Sequence, residues 1–226
     1  MKDLRRWTVM VVVLGGLVAC SKQDPGEPAA ASAPAGTVAE QSAPAPKDPA
    51  DMSAEERERA EKQGKLDYAT MEDQYLNDPK GQWASAATAS STFGQGSGNI
   101  SDSNRPQNVV GSVDGKRWTN DQQDVGFDWL EVTFARPVNA TELRVVFEDD
   151  QGVEAVSKVE LQDTAGAWHT VWSGLSDVKG DERGARTWFV RKFDKTAYQA
   201  KAAKITIANN VQNSYKVIDA VQLVGE

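Results

Sequence analysis

Apolar and polar side chains alternate along the chain after residue 82. Leu130, Val132 and Phe134 occupy every second position, and the segment 142–147 repeats the same alternation. A period of two is typical of a β-strand with one buried face. By the same pattern and residue types we predict further strands at 83–92, 157–162, 168–172, 186–193, 203–208 and 216–224.

Turn-forming residues fall between these segments, at Arg136-Pro137, Thr164-Ala165-Gly166 and Asn209-Asn210. No helical period interrupts the series of short strands. This arrangement predicts an all-β domain over residues 82–226, an antiparallel β-sandwich of the jelly-roll type.

A helix is predicted before the strands. Ser53 and Glu56 have the spacing of a capping box, so a helix should run from Ala54 to about Asn77, and Pro79 stops it. Its first half is charged on all faces, and its second half carries some apolar side chains. A partner-binding or coiled-coil segment is one interpretation. The absence of a sustained heptad favours the other, a solvated polar stalk over 52–81 whose end packs on the domain.

The first 19 residues have the pattern of a signal peptide. Lys2, Arg5 and Arg6 precede an apolar run of about twelve residues, which is too short to span a bilayer as a helix. Residues 17–20, Leu-Val-Ala-Cys, resemble the lipobox of bacterial lipoproteins. The resemblance implies cleavage before Cys20 and acylation of its thiol with diacylglycerol and palmitate-type chains. Ser21 in the next position implies sorting to the outer membrane.

Two alternatives to the lipoprotein interpretation remain. The segment is an ordinary secretory signal with an incidental cysteine, or it is an uncleaved membrane anchor. Residues 20–51 are rich in Pro, Ala and Ser and have no aromatic side chain. Such a composition buries too little apolar surface to offset chain entropy, so we expect a disordered tether between Cys20 and the helix.

Charge and rare residues exclude several functions. Removal of residues 1–19 leaves 22 basic and 32 acidic side chains, a net charge of about −10. An acidic surface repels phosphate backbones and anionic headgroups, so we expect neither nucleic-acid binding nor charge-driven membrane adhesion. One cysteine and one histidine exclude a disulfide framework and a zinc site of the His/Cys type.

Several short segments follow one another in a fixed order along residues 83–226. They are Trp83-Ala84-Ser85, Ala89-Ser90-Ser91, Val113-Asp114-Gly115-Lys116-Arg117-Trp118, Trp129-Leu130-Glu131-Val132, Lys158-Val159-Glu160-Leu161, Trp168-His169-Thr170-Val171-Trp172 and Ile218-Asp219-Ala220-Val221-Gln222-Leu223. In this order they resemble the galactose-binding-like jelly rolls, which include discoidin or coagulation-factor C-type domains and several carbohydrate-binding modules. Two departures are the stretch 147–155 and the missing cysteine pair of many animal members.

The resemblance implies a ligand site in the loops at one end of the sandwich. The candidate loop residues offer aromatic rings, hydrogen-bond acceptors and a bidentate donor. They are Phe93, Asn104, Arg105, Asp149, Asp150 and Tyr215. Most of the tryptophans fall at strand positions, which favours packing over stacking on a sugar.

The resemblance also implies a structural calcium site in the loop 113–119. Asp114 would supply a carboxylate and Thr119 a hydroxyl or carbonyl oxygen, with Asp219 joining from the last strand. The alternative is a plain Asp-Gly turn without metal. We expect no other cofactor.

Catalysis has little support in the residues. No nucleophile motif or phosphate loop is present, and His169 lies inside a predicted strand. Glu148, Asp149 and Asp150 form the densest acidic cluster. This cluster is a solvated loop, a cation contact or, as a third alternative, the carboxylate pair of a glycoside hydrolase.

The sequence therefore predicts a non-catalytic binding module for a glycan or another cell-envelope component, displayed from a membrane by its lipid anchor. The alternative is an accessory or scaffold lipoprotein that binds another envelope protein. A glycoside hydrolase is the third and least supported function.

Overall fold

The computed structural model describes residues 48–226, which belong to one compact unit. The predicted signal peptide, Cys20 and most of the predicted tether lie outside the described residues. The last tether residues, Pro49–Asp51, form a single 3-10 turn because the Asp48 side chain accepts a hydrogen bond from the amide of Ala50. The main elements are α1 (Ala54–Leu76), β1 (Gly81–Ala89), β2 (Trp118–Thr119), β3 (Phe127–Glu148), β4 (Val156–Asp163), β5 (Trp168–Ser173), β6 (Arg186–Lys192), β7 (Gln199–Ala208) and β8 (Val217–Gly225).

Helix α1 begins and ends where its caps predict. The Glu56 amide donates to Ser53 Oγ at 3.2 Å, and Glu56 Oε2 accepts from the Ser53 amide at 2.8 Å, which completes the capping box. Among the described residues, no helix is both long enough and apolar enough to cross a membrane.

The second half of α1 packs on the sandwich. Tyr68, Met71 and Tyr75 lie against Val146 and Trp188 in a hydrophobic cluster separate from the main core. The Tyr68 hydroxyl donates to the carbonyl oxygen of Arg186 on β6 at 2.9 Å. The helix therefore covers the outer face of one sheet, while its charged first half is mostly exposed.

The structure has one continuous strand, β3, where the sequence predicted two strands joined by a turn. It runs for 22 residues and bends where Arg136 and Pro137 had indicated a turn. The Gln82 side chain takes over the pairing at this bend, since its Oε1 accepts from the Arg136 amide at 3.1 Å and its Nε2 donates to the Arg136 carbonyl at 2.7 Å. Because the bend leaves no backbone group of Arg136 unpaired, the chain passes from one sheet to the other without a loop.

The strands form two antiparallel sheets that share β1 and β3. In the first sheet the order is β1, β3, β7, β4, β5. In the second, β6 pairs with the latter half of β3, β3 pairs with β8, and the other edge of β8 pairs with β2 and the first residues of β1. The fold is an antiparallel β-sandwich, as the alternation of side chains predicted.

The core lies between the two sheets. It is built from the alternating apolar positions of β3, β4, β7 and β8, whose side chains are almost completely buried: Leu130, Val132, Leu143, Val145, Phe147, Val159, Leu161, Ile205, Ile207, Ile218, Val221 and Leu223. Burial of this apolar surface is the main favourable contribution to folding.

Candidate functional site

The long connection between β1 and β2 starts at one end of the sandwich and is held there by its first residues. The Trp118 indole donates to the carbonyl of Ser91 at 2.9 Å, and the Phe93 amide donates to the carbonyl of Thr119 at 2.8 Å. Asp121 accepts hydrogen bonds from the amides of Gly94 and Gly96. Phe93 is therefore fixed in place although it lies in a loop.

A cleft of about 240 Å³, named here the end cleft, opens at this position. The residues that line it come from the β1–β2 connection, from the ends of β3 and β8 and from the loops beside them: Phe93, Asn104, Arg117, Thr119, Glu148, Gln151, Tyr215 and Val217. Its volume lies below the roughly 300–1,000 Å³ of pockets for drug-sized ligands. The end cleft therefore suits a ligand of about one sugar ring.

One wall of the end cleft is aromatic. The rings of Phe93 and Tyr215 meet edge to face, with their centroids 4.8 Å apart and an angle of 88° between the planes. This geometry is favoured by the ring quadrupoles. Phe93 keeps 38% of its surface exposed, so part of an apolar ring remains open to a ligand.

The opposite wall is polar and carries no net charge. The Arg117 guanidinium donates to the Glu148 carboxylate, and the Arg117 carbonyl accepts from the Asn108 side chain at 2.9 Å. Thr119 Oγ1 donates to Asn104 Oδ1 at 3.1 Å. This wall therefore offers both donors and acceptors at fixed positions.

The structure brings three of the six predicted ligand residues together. Phe93, Asn104 and Tyr215 line the end cleft. Arg105 does not line it, because its Nε donates to Asp102 Oδ1 at 2.7 Å. Asp149 and Asp150 line a different, acidic cleft beside the segment 179–184.

Arg117, Glu148 and Gln151 line the end cleft but were not predicted as ligand residues. Arg117 was part of the predicted calcium loop, and Glu148 belonged to the acidic cluster at the end of β3. The two residues are 31 positions apart in sequence. Nothing in the sequence pattern indicated that they form an ion pair.

Two of the predicted calcium residues, Asp114 and Asp219, accept hydrogen bonds from N–H donors in the structure. Oδ1 and Oδ2 of Asp219 accept hydrogen bonds from the amides of Asp114 and Gly115, each at 3.3 Å, and Oδ2 also accepts from Arg186 Nε. The Asp114 carboxylate accepts from the amide and ammonium of Lys116. Calcium needs six to eight oxygen ligands, whereas here N–H donors surround the carboxylates.

The remaining predicted metal residue, Thr119, lines the end cleft. Among residues 48–226 there is no group of three or more His, Cys, Asp or Glu side chains arranged to hold a metal ion. The arrangement at Asp114 and Gly115 is that of an Asp-Gly turn held by a buried carboxylate.

No protein-family model matches this chain, and no curated protein matches it in sequence. Solved structures do match it. A chitosan-binding module from a chitosanase/glucanase of Paenibacillus sp. IK-5 has 13% identity and a TM-score of 0.47, and the match covers 63% of this chain and 96% of the module.

Two further matches are carbohydrate-binding modules of Clostridium perfringens. The family 32 module of NanJ, solved with galactose, has 13% identity and a TM-score of 0.47, covering 63% of this chain and 98% of the module. A family 32 module solved with GalNAc-β-1,3-galactose has 10% identity and a TM-score of 0.47, covering 66% and 99%. At these identities and TM-scores, the similarity assigns neither a ligand nor a site residue to this chain.

Proposed function

We propose that Lys47–Glu226 form a non-catalytic module that binds one ring of a neutral glycan in the end cleft. The observation that carries this proposal is the pairing of an exposed aromatic wall with a polar wall of balanced charge. A sugar ring has an apolar face of C–H groups, which packs on an aromatic ring, and hydroxyls that both donate and accept hydrogen bonds.

The charge of the polar wall favours a neutral ligand. Arg117 and Glu148 neutralise each other, and no other lining residue is charged. An anionic ligand would compete with Glu148 for Arg117 and a cationic ligand would compete with Arg117 for Glu148, so a charged ligand gains little net attraction from this half-exposed pair. Hydroxyl groups bind beside the pair without separating it.

The same wall argues against glycoside hydrolysis. That reaction commonly uses two carboxyl groups about 5–9.5 Å apart, one on each side of the scissile bond. Among the lining residues Glu148 is the one carboxylate, and it is engaged by Arg117. The end cleft therefore suits binding without turnover.

Replacement of Phe93 by alanine tests the proposal. Residues 47–226 are screened against an array of neutral saccharides, with uronic and sialic acid glycans as anionic comparators, and affinity for the best ligand is measured by calorimetry. We expect Phe93→Ala to weaken binding at least tenfold, about 1.4 kcal/mol, because an aromatic contact at the centre of a site carries much of its energy.

The matched control is Phe127→Ala. Phe127 is 69% exposed and does not line the end cleft, so its removal should leave the affinity unchanged. The proposal is wrong if the folded wild-type protein binds no saccharide, or if both variants weaken binding equally. Exclusive binding of acidic glycans would contradict the charge argument.

We also propose that the module is attached to the bacterial outer membrane by acyl chains on Cys20. The support is the lipobox-like segment 17–20 and the Pro/Ala-rich residues that follow it. Two or more acyl chains anchor a protein stably, since each buried methylene contributes about 0.8 kcal/mol.

In intact cells, we expect the protein to fractionate with membranes and its N-terminal peptide to carry the mass of a lipidated Cys20. Cys20→Ser should move the protein to the soluble fraction or leave its signal peptide uncleaved. An unmodified Cys20 in the wild-type protein would refute the anchor. The control Ser21→Ala should retain lipidation.

A further inference from the structure

Lys216, at the start of β8, is completely buried, and its ammonium group is enclosed by main-chain oxygens. Nζ donates to the carbonyls of Gln123 at 2.5 Å, Asn209 at 3.0 Å, Gln212 at 2.7 Å and Ser214 at 2.5 Å. An ammonium has three protons, so four acceptors require one of them to be shared. Four converging carbonyls are an environment that otherwise suits a bound cation.

The lysine joins the segments beside the end cleft. Gln123 belongs to the connection between β2 and β3, and the other three acceptors belong to the segment 209–214, which leads directly into Tyr215. The Lys216 amide also donates to Asn120 Oδ1 at 2.8 Å. The position of Tyr215 in the aromatic wall therefore depends on the segment 209–214, whose carbonyls bind the Lys216 ammonium.

A third segment rests on the lysine stem. A Cβ atom at Gly152 would lie 2.7 Å from Lys216 Cγ, and the φ of Gly152 is +106°, so a glycine is required at this position. The Gly152 amide donates to Gln212 Oε1 at 3.0 Å, and the Val217 amide donates to the Gln151 carbonyl at 2.9 Å. Gln151 and Val217, which also line the end cleft, are thus held around the same side chain.

Two acidic groups compensate the buried charge from a distance. Burial lowers the pKa of Lys216 to about 8, and the charges of Asp128 and Asp124 act in the opposite direction. Asp128 is reached through Asn209, whose carbonyl accepts from Lys216 and whose Nδ2 donates to Asp128 Oδ2 at 3.1 Å. The segments 149–153 and 209–214 face the lysine with backbone and amide groups.

We propose that Lys216 is a positioning residue of the end cleft, an internal cation that holds Tyr215 and Gln151 in the binding geometry. This inference rests on the proposed glycan binding. Removal of the ammonium group leaves the four carbonyls without their donor, so the segment 209–216 must open to water to satisfy them. The end cleft then loses its aromatic wall, and ligand affinity falls while the sandwich stays folded.

The lowered pKa sets the sign of the pH effect. A lysine whose pKa is lower in the folded than in the unfolded state makes the folded state more stable as pH rises from about 8 to 10.5. By the same linkage, deprotonation favours the closed segment 209–216, in which the pKa is lowered, over an open and solvated one. Binding of a neutral saccharide by the wild-type protein should therefore not weaken between pH 7 and pH 9.5.

The experiment uses residues 47–226, the best neutral saccharide from the array, and Lys216→Met, which keeps an unbranched stem but removes the donors. At pH 7 we expect Lys216→Met to bind at least tenfold more weakly than wild type. Circular dichroism should show an unchanged sandwich. Lys204→Met, on the outer face of β7, is the control and should keep wild-type affinity.

Chemical rescue distinguishes an internal cation from a packing role. In Lys216→Ala, n-propylammonium supplies the missing three carbons and the ammonium group, and it should restore binding. Tetramethylammonium, which is charged but has no N–H donor, should not. Equal rescue by both ions, or by neither in a variant that remains folded, would overturn the proposal.

Amide hydrogen exchange of residues 209–217 is measured on the same samples, because it needs no ligand. We expect faster exchange in Lys216→Met than in wild type at pH 7. Wild-type protection in a folded Lys216→Met would refute the role of Lys216 whether or not a glycan binds. Failure of wild type to bind any saccharide, with this segment loosened as expected, would refute the proposed function instead.

Discussion

Replacement of Tyr68 by alanine should lower the free energy of unfolding of residues 47–226 by about 3–5 kcal/mol, the range found when a buried aromatic side chain is truncated. Tyr68 is 5% exposed and packs with Val146 and Trp188 on the outer face of the second sheet. A Cβ at Gly184 would lie 2.2 Å from its ring, so the loop 181–184 closes tightly over it. Burial raises the pKa of Tyr68 to about 12, as expected for a hydroxyl removed from water.

Two variants on the same helix separate the contributions to this loss. Tyr68→Phe removes only the hydroxyl that donates to Arg186, so it should cost about 1 kcal/mol. Leu66→Ala, at a position 60% exposed, should stay within about 0.5 kcal/mol of wild type. Urea unfolding followed by tryptophan fluorescence measures all three. A Tyr68→Ala effect as small as that of Leu66→Ala would mean that α1 is not part of the folded unit.

The sandwich was predictable because its signal is local. Alternation at Leu130, Val132 and Phe134 marks the buried face of β3 without knowledge of any partner strand. The bend at Arg136-Pro137 was not predictable, because the group that pairs the Arg136 backbone is the side chain of Gln82, 54 residues away. The proline that ordinarily signals a turn lies here in an irregular stretch between Thr133 and Val138, shortly before the strand passes to the second sheet at Ala140.

The residues of the end cleft also divide into those that could be predicted from local sequence and those that could not. Phe93 and Tyr215 could be proposed from sequence because an aromatic residue in a loop is exposed unless something covers it. Arg117 and Glu148 could not be paired, since their contact depends on how the β1–β2 connection folds over the end of β3. Lys216 gave no signal at all, because a lysine at a strand end is ordinarily solvated and only the fold surrounds this one with carbonyls.

A buried ion network lies beneath α1, and it was predicted neither from the alternation of side chains in the strands nor from the loop residues. Arg144, on β3, has a side chain 6% exposed and donates to Glu142 Oε1 at 2.5 Å, to Asp78 Oδ2 at 2.9 Å and to Gln222 Oε1 at 2.8 Å. Its guanidinium also lies over the Tyr75 ring, 4.2 Å from the centroid. Four groups from α1, the loop after it and two strands thus meet at one cation.

Arg144→Met should therefore destabilise the protein by about 3–5 kcal/mol, because it leaves the carboxylates of Glu142 and Asp78 poorly solvated and without their main cation. The double variant Arg144→Met/Glu142→Met removes the most buried charge as well and should recover a large part of that loss. The control is Arg117→Met, which breaks an ion pair whose side chains are 43% and 37% exposed and should cost at most about 1 kcal/mol. The measurement is the urea unfolding midpoint of wild type and the three variants. If Arg144→Met costs no more stability than Arg117→Met, the network contributes no more than a surface ion pair. In that case the helix is held by its aromatic contacts alone.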